Sequence, residues 1–182
     1  MIRLNLGCGR DYRQGWINVD FNTSVRVDLV ASLFDGVPLR DSSVDEVVLD
    51  NVIEHVRRDS IFTFLEDLHR VCKSGAVIRI YTPHYSSMFA HKHLTHYTYF
   101  GIGTFDLFSP EAPFNGERYS TARFAVDQER LLFFHHNLIN YPWLSALPIN
   151  GLFNLGMGWK LMMERFQFFG FDEIYYELRV VK

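Results

Sequence analysis

Only two cysteines, Cys8 and Cys72, occur in 182 residues, so no disulfide framework holds this chain and a reducing compartment is expected. There is no basic excess either: 18 Lys and Arg stand against 21 Asp and Glu, a formal net charge of −3. Proteins that grip a phosphate backbone carry clustered positive charge, so no nucleic-acid partner is expected. The start, MIRLNLGCG, lacks the charged opening and long apolar run of a secretory signal, and the expected location is cytoplasmic. Charge is missing altogether from Leu138 to Trp159. That length equals a membrane span, but Pro142, Pro148, Gly151, Gly156, Gly158 and three asparagines interrupt it. Buried core or a homodimer contact is the first reading of this stretch, and contact with a membrane surface the second. Aromatic residues are scarce in one half: 6 of 29 fall in residues 1–80, whereas the other 23, with six of the eight histidines, follow residue 80. The chain is one domain long but chemically two halves.

The first half alternates short apolar runs with polar punctuation, as a layered α/β structure does. Strands are predicted over residues 2–6, 17–20, 25–29, 44–49 and 76–81, and they read as continuous apolar runs suited to parallel strands covered on both faces. A helix is predicted over residues 60–71, where Ile61, Phe64, Leu65, Leu68 and Cys72 make one apolar stripe. Asp59 or Ser60 is expected to cap its start and Gly75 to stop it. Residues 84–116, with many aromatics and no sustained period, read as a long, mostly irregular insertion of the kind that forms lids. Beyond it, strands are expected over 119–126 and 130–134 around a turn at Asp127-Gln128-Glu129, then a helix over 156–169 and a last strand over 174–181.

The first strand runs into Gly7-Cys8-Gly9, and glycines at such a turn let a ligand approach the backbone closely. A dinucleotide fingerprint needs a third glycine where Tyr12 stands, and its acidic partner would be Asp28. Asp20, ending the second strand beside the glycine turn, is the better carboxylate for the two hydroxyls of a ribose. With these residues in view, LNLGCGRDYRQGWINVD resembles motif I and the next strand of the class I S-adenosylmethionine-dependent methyltransferases, in particular a subgroup whose loop reads LGCG…GWxNVD. VDLVASLFDGVPLRDSSVDEVVLDNVIEHV and HRVCKSGAVIRIYTPHYSS resemble that family's following passages, in the same order.

The resemblance implies a Rossmann-like methyltransferase fold: a central, mostly parallel seven-stranded sheet with an antiparallel strand near its C-terminal edge and helices on both faces. It implies S-adenosyl-L-methionine as cofactor, bound by the loop Leu6-Gly7-Cys8-Gly9, with Asp20 on the ribose and Ser32 and Leu33 against adenine. The backbone at Asp50 and Asn51 would face the sulfonium methyl. Residues 1–83 would then be a cofactor-binding half and 84–182 the lid, acceptor pocket and C-terminal strand of one domain. The chain departs from the family at Ser32, where an acidic residue is common, and at Lys73-Ser74-Gly75-Ala76, where Pro-Gly-Gly is usual. The short segment after Gly9 leaves room for a turn in place of the first helix.

A hydroxyl acceptor would want a general base, and histidine suits that role near neutral pH. His84, directly after the fifth strand, and His96, in the insertion, are the candidate catalytic residues. No metal is expected: His91, His93 and His96 have no cysteine in their cluster, and His135 and His136, adjacent on a strand, would point to opposite faces. The expected acceptor is a small molecule, or a sugar or lipid-linked hydroxyl. The competing readings are a cofactor-binding interaction protein without catalysis and, further off, a nicotinamide-dependent oxidoreductase.

Overall fold

The computed structural model describes residues 1–111, 119–136, 151–152, 154–166 and 170–182. Its seven strands are β1 (Arg3–Leu6), β2 (Ile17–Asp20), β3 (Leu29–Val30), β4 (Val44–Asp50), β5 (Cys72–Pro83), β6 (Phe124–Leu132) and β7 (Glu173–Val180). They form one sheet in the order β3-β2-β1-β4-β5-β7-β6. The first five pair in parallel, while β7 runs antiparallel to both of its neighbours. The expected architecture of the sheet is what the chain adopts.

The central strands are apolar because both of their faces are covered. Leu4, Leu6, Val47, Leu49, Ile78 and Ile80 are fully buried, each contributing about 2 kcal/mol of transfer free energy. Helix α1 (Ile61–Val71) covers part of the sheet through Phe64, Leu65, Leu68 and Val71, spaced as one helical face. Its Asp67 accepts the Val37 amide at 2.6 Å, and Arg70 reaches the Val37 and Leu39 carbonyls, both at 3.0 Å. Those bonds pin the loop that leads into β4.

Chain order reverses at the centre of the sheet. From β1 it steps outward to β2 and β3, then returns to β4 on the other side of β1. Ligands of open α/β sheets bind at such a switch point, outside the carboxyl ends of the strands. Here those ends are Leu6, Asp20 and Asp50. Between β1 and β2 the described chain makes only turns, as the short spacing after Gly9 implies.

Several local expectations are corrected. β3 is two residues at 29–30, not a strand over 25–29. Ser60 precedes α1 but its side chain caps nothing; its hydroxyl donates to Asp59 at 2.9 Å. Gly75 does not end α1, which passes at Cys72 straight into β5; it sits at φ +80° in a bulge where the pairing slips between Val44 and Glu46. The two strands expected around Asp127-Gln128-Glu129 are one strand, β6, whose register shifts between Val126 and Gln128. The polar triplet lies within that strand, Asp127 exposed and paired to Arg179 at 2.8 Å and Glu129 buried. The insertion contains α2 (Met88–Lys92) and a 3-10 turn over Thr104–Phe108, and α3 (Met157–Phe166) falls inside the expected helix. Among the described residues no helix is long and apolar enough to cross a membrane. Most of the uncharged stretch 138–159 lies outside the described residues.

Candidate functional site

A cavity of about 480 Å³ opens at the switch point, a volume suited to a nucleoside-sized ligand. Gly7, Asp20, Leu33 and Asn51 line one part of it, and His55, Thr95 and Tyr97 another. Gly7 is held at φ +64°, and a Cβ there would lie 2.5 Å from Val52 Cγ2, so the turn packs directly on the segment after β4. Gly9, at φ +49°, has the opposite surroundings: no atom lies within 4 Å of a Cβ built on it. The Gly9 amide donates to Asp20 Oδ2 at 2.7 Å and the Asn22 amide to Asp20 Oδ1 at 2.8 Å. Asp20 thus braces the glycine turn from the wall of the cavity. Leu6 and Cys8 are buried beneath the turn, and burial pushes the Cys8 thiol up, away from the thiolate a nucleophile needs. Asn51 adopts φ +54° and donates its amide N–H to the Tyr81 carbonyl at 2.9 Å. Ser32 immediately precedes the short 3-10 turn that carries Leu33.

Asp28, the carboxylate of the dinucleotide alternative, is engaged elsewhere. It accepts from the Asn18 amide and side chain and from the Tyr12 hydroxyl, all at 2.8 Å.

The insertion is docked on the 3-10 turn Ile53–His55 that follows β4. The Glu54 carbonyl accepts the amides of Tyr97 (2.8 Å) and Thr98 (3.2 Å), and the Thr98 hydroxyl donates to the Val56 carbonyl at 2.7 Å. These bonds bring His96 onto His55, with ring centroids 4.7 Å apart at 80°; His93 stacks on His96 at 4.9 Å. Burial, then the neighbouring imidazoles, lowers the pKa of His96, and burial likewise lowers that of His55. Glu54 is 2% exposed, and desolvation raises its carboxyl to about 7. His91 turns away to the Tyr85 carbonyl at 2.7 Å.

His84 is not brought to this cavity. It is fully buried, with Nδ1 on the Ser86 hydroxyl at 2.8 Å and Nε2 on Glu164 Oε1 at 2.9 Å. Glu164 also accepts the Ile102 amide at 2.8 Å, so His84 joins the end of β5 to α3 and the insertion.

A second ionic cluster sits at the same edge of the sheet. The fully buried Glu173 bonds His136 Nδ1 at 2.6 Å and His135 Nε2 at 3.0 Å, and His136 Nε2 reaches Asp50 at 3.2 Å. Against burial, which alone would raise it, the two imidazoles hold Glu173 down at about 2. Against burial in the other sense, Asp50 and Glu173 raise His136 to about 9. The two histidines do not diverge as strand neighbours would, because both lie past the end of β6 at Leu132; their rings stack at 13°. Asp50 is therefore turned toward His136 and, at 3.8 Å, Arg13, while Asn51 faces the cavity. Glu54 and Glu173 went unassigned in the sequence. The only signal for Glu54 was a carboxylate in the otherwise apolar run Val52-Ile53 and Val56.

Residues 4–80 match the family model described as a methyltransferase domain. No curated protein matches the chain. Among solved structures, a SAM-dependent methyltransferase from Archaeoglobus fulgidus aligns with TM-score 0.56 at 16% identity, over 97% of this chain and 85% of the other. One from Mesorhizobium loti aligns with TM-score 0.56 at 13% identity, over 98% and 90%. Phosphoethanolamine N-methyltransferase 2 of Haemonchus contortus, in complex with S-adenosyl-L-methionine, aligns with TM-score 0.56 at 12% identity, over 99% of this chain and 48% of its own.

Proposed function

We propose that this chain, an S-adenosylmethionine-dependent methyltransferase, transfers the methyl group to a hydroxyl of a small-molecule, sugar or lipid-linked acceptor held by its second half. The observation that carries this reading is the single cavity shared by Gly7, Asp20 and Asn51 on one side and His55, Thr95 and Tyr97 on the other. The residues fit the cofactor: the space over Gly9 admits a close approach to backbone, and Asp20 presents a buried-edge carboxylate beside it. When bound, S-adenosylmethionine supplies a methyl activated by its sulfonium.

The chain's own part is to place the acceptor in line and to receive its proton. His55 directs Nδ1 to the Thr95 carbonyl at 3.0 Å, which leaves Nε2 as the acceptor of that ring. His96 stands beside it, and the depressed pKa of both keeps them neutral and able to take a proton. Residues 1–83 would serve the cofactor and the insertion the acceptor, with Leu33 and Ser32 at the adenine end.

Calorimetric titration with S-adenosylhomocysteine and with NAD tests the cofactor half, and saturation by the first alone is expected. Labelled methyl transfer into glycan, lipid and small-molecule extracts, with the product bond identified, tests the acceptor half. An O-methyl product is expected. Tight cofactor binding with no transfer would establish a binding module instead, and an N-methyl product would overturn the hydroxyl.

His84→Ala separates a buried clasp from a catalytic group. Loss of two hydrogen bonds at a fully buried site is expected to lower stability by about 2–3 kcal/mol, read as a fall of several degrees in Tm, with S-adenosylhomocysteine affinity unchanged within threefold. Unchanged Tm with abolished transfer would place His84 in the chemistry.

A further inference from the structure

Glu54, His55 and His96 offer ligand atoms that all lie within 4.8 Å of one another. Each side chain is secured at one atom or by its packing and left open at another. Glu54 Oε2 accepts the Thr82 hydroxyl at 3.0 Å, whereas its buried Oε1 has no hydrogen-bond partner among the described residues. His55 is fixed through Nδ1 by the Thr95 carbonyl, so its lone pair is on Nε2. His96 is packed between the rings of His55 and His93, and its buried Nδ1 has no partner among the described residues either.

Two orphaned polar atoms in one cluster demand a cause, since each costs about 1–3 kcal/mol and native interiors hold few. A carboxyl group and two imidazoles meet here, and neither Glu54 Oε1 nor His96 Nδ1 takes a hydrogen bond from the others. A water has two protons to give, but a cation satisfies all three acceptors at once.

The contrast with His135, His136 and Glu173 is instructive. Those three also lie within 4.8 Å of one another, yet there the ring nitrogens face carboxylate oxygens at 2.6–3.2 Å and shared protons satisfy the cluster.

We propose that Glu54, His55 and His96 form a binding site for a divalent first-row transition metal on the acceptor side of the cavity. Two imidazoles and one carboxylate are a donor set for zinc, iron or manganese rather than for magnesium, which prefers oxygen throughout. Metal–ligand bonds of about 2.0–2.2 Å put tetrahedral donors roughly 3.4 Å apart. The ligand atoms must therefore draw together modestly. Three protein ligands leave at least one coordination position open, and His55 lines the cavity, so that position faces the space left for an acceptor. An acceptor hydroxyl bound there would give up its proton to solvent more readily, as metal-bound water does, and with metal bound the two imidazoles would serve as ligands in place of receiving that proton. That use of the metal rests on the methyl-transfer reading; its binding does not.

The test titrates the chelator-treated full chain with zinc by calorimetry and counts bound metal by elemental analysis. One equivalent per chain is expected. Glu54→Gln and His96→Ala should each weaken it by roughly 100-fold or more, while His135→Ala leaves it unchanged. Thermal unfolding of each metal-free variant checks its fold. X-ray absorption of the zinc-loaded wild type, which needs no variant, should show two imidazoles among nitrogen and oxygen ligands. The proposal is overturned by absence of stoichiometric zinc, by a shell without imidazole, or by loss of binding in His135→Ala rather than His96→Ala. S-adenosylhomocysteine titrated into the same preparation keeps the two readings apart. Cofactor binding without zinc sinks the metal site alone, and zinc without cofactor binding sinks the cofactor assignment alone.

Discussion

Asp20→Ala is expected to weaken S-adenosylhomocysteine binding by more than about 100-fold, measured by calorimetry at fixed pH and salt. The carboxylate is 7% exposed at the end of β2 and lines the cavity. Hydrogen bonds from a ligand's hydroxyls to a charged group are worth about 1.5–3 kcal/mol each. Two of them at the low end already sum to about 3 kcal/mol, and about 1.4 kcal/mol is tenfold in affinity. Removing Asp20 also releases the amides of Gly9 and Asn22, so the turn at φ +49° loses its brace. Asp20→Asn should fall between, because its NH2 must confront one of two backbone N–H groups that both need an acceptor. An affinity for Asp20→Ala within threefold of wild type would remove this carboxylate from the cofactor site.

Glu173→Gln should produce the largest change in stability, and one that depends on pH. The folded chain lowers Glu173 from 4.5 to about 2, so its contribution is complete above pH 4.5 and is lost as pH falls through about 2. It raises His136 from 6.5 to about 9, so that contribution is complete below pH 6.5 and is lost as pH rises through about 9. Both hold in full between pH 4.5 and 6.5. The two displacements describe one shared hydrogen-bonded pair and count once, at about 3 kcal/mol. Breaking a buried pair by removing one charge costs a similar 3–5 kcal/mol. Urea unfolding from pH 3 to 9 should show the wild-type advantage over Glu173→Gln at its maximum in that window and shrinking on either side. A difference constant with pH would show that the cluster acts through packing rather than ionisation.

The parts of the molecule visible in the sequence are those written by neighbours along the chain. Gly7, Gly9 and Asp20 lie on two adjoining strands, and the apolar stripe of α1 follows from helical spacing alone. In β6, Asp127, Gln128 and Glu129 have the composition of a turn. They are instead part of one strand whose Asp127 pairs with Arg179 and whose Glu129 is buried, accepting the Gly103 amide at 2.9 Å. The partners that fold Glu129 inward are remote in sequence, and no local pattern announces them. The same holds at the site. His55 and His96 were both visible as histidines, but only the docking of the insertion on the Glu54 carbonyl makes them neighbours. His84 follows β5 directly, as the sequence implies, yet Glu164, supplied by α3, claims its Nε2. The glycine turn and Asp20 are therefore legible in the sequence, whereas the meeting of His55, His96 and Glu54 is not.

The peptide at Glu54 therefore does two jobs at once. Its carbonyl fastens the insertion through Tyr97 and Thr98, and its side chain stands beside the histidine that the insertion delivers. A graft that exchanged this insertion for another would remove His96 and unfasten the Glu54 backbone in a single cut. The docking of the insertion and the assembly of the histidine cluster are consequently one structural unit. Any exchange of that segment would have to bring with it the turn beneath, whose Glu54 carbonyl it caps.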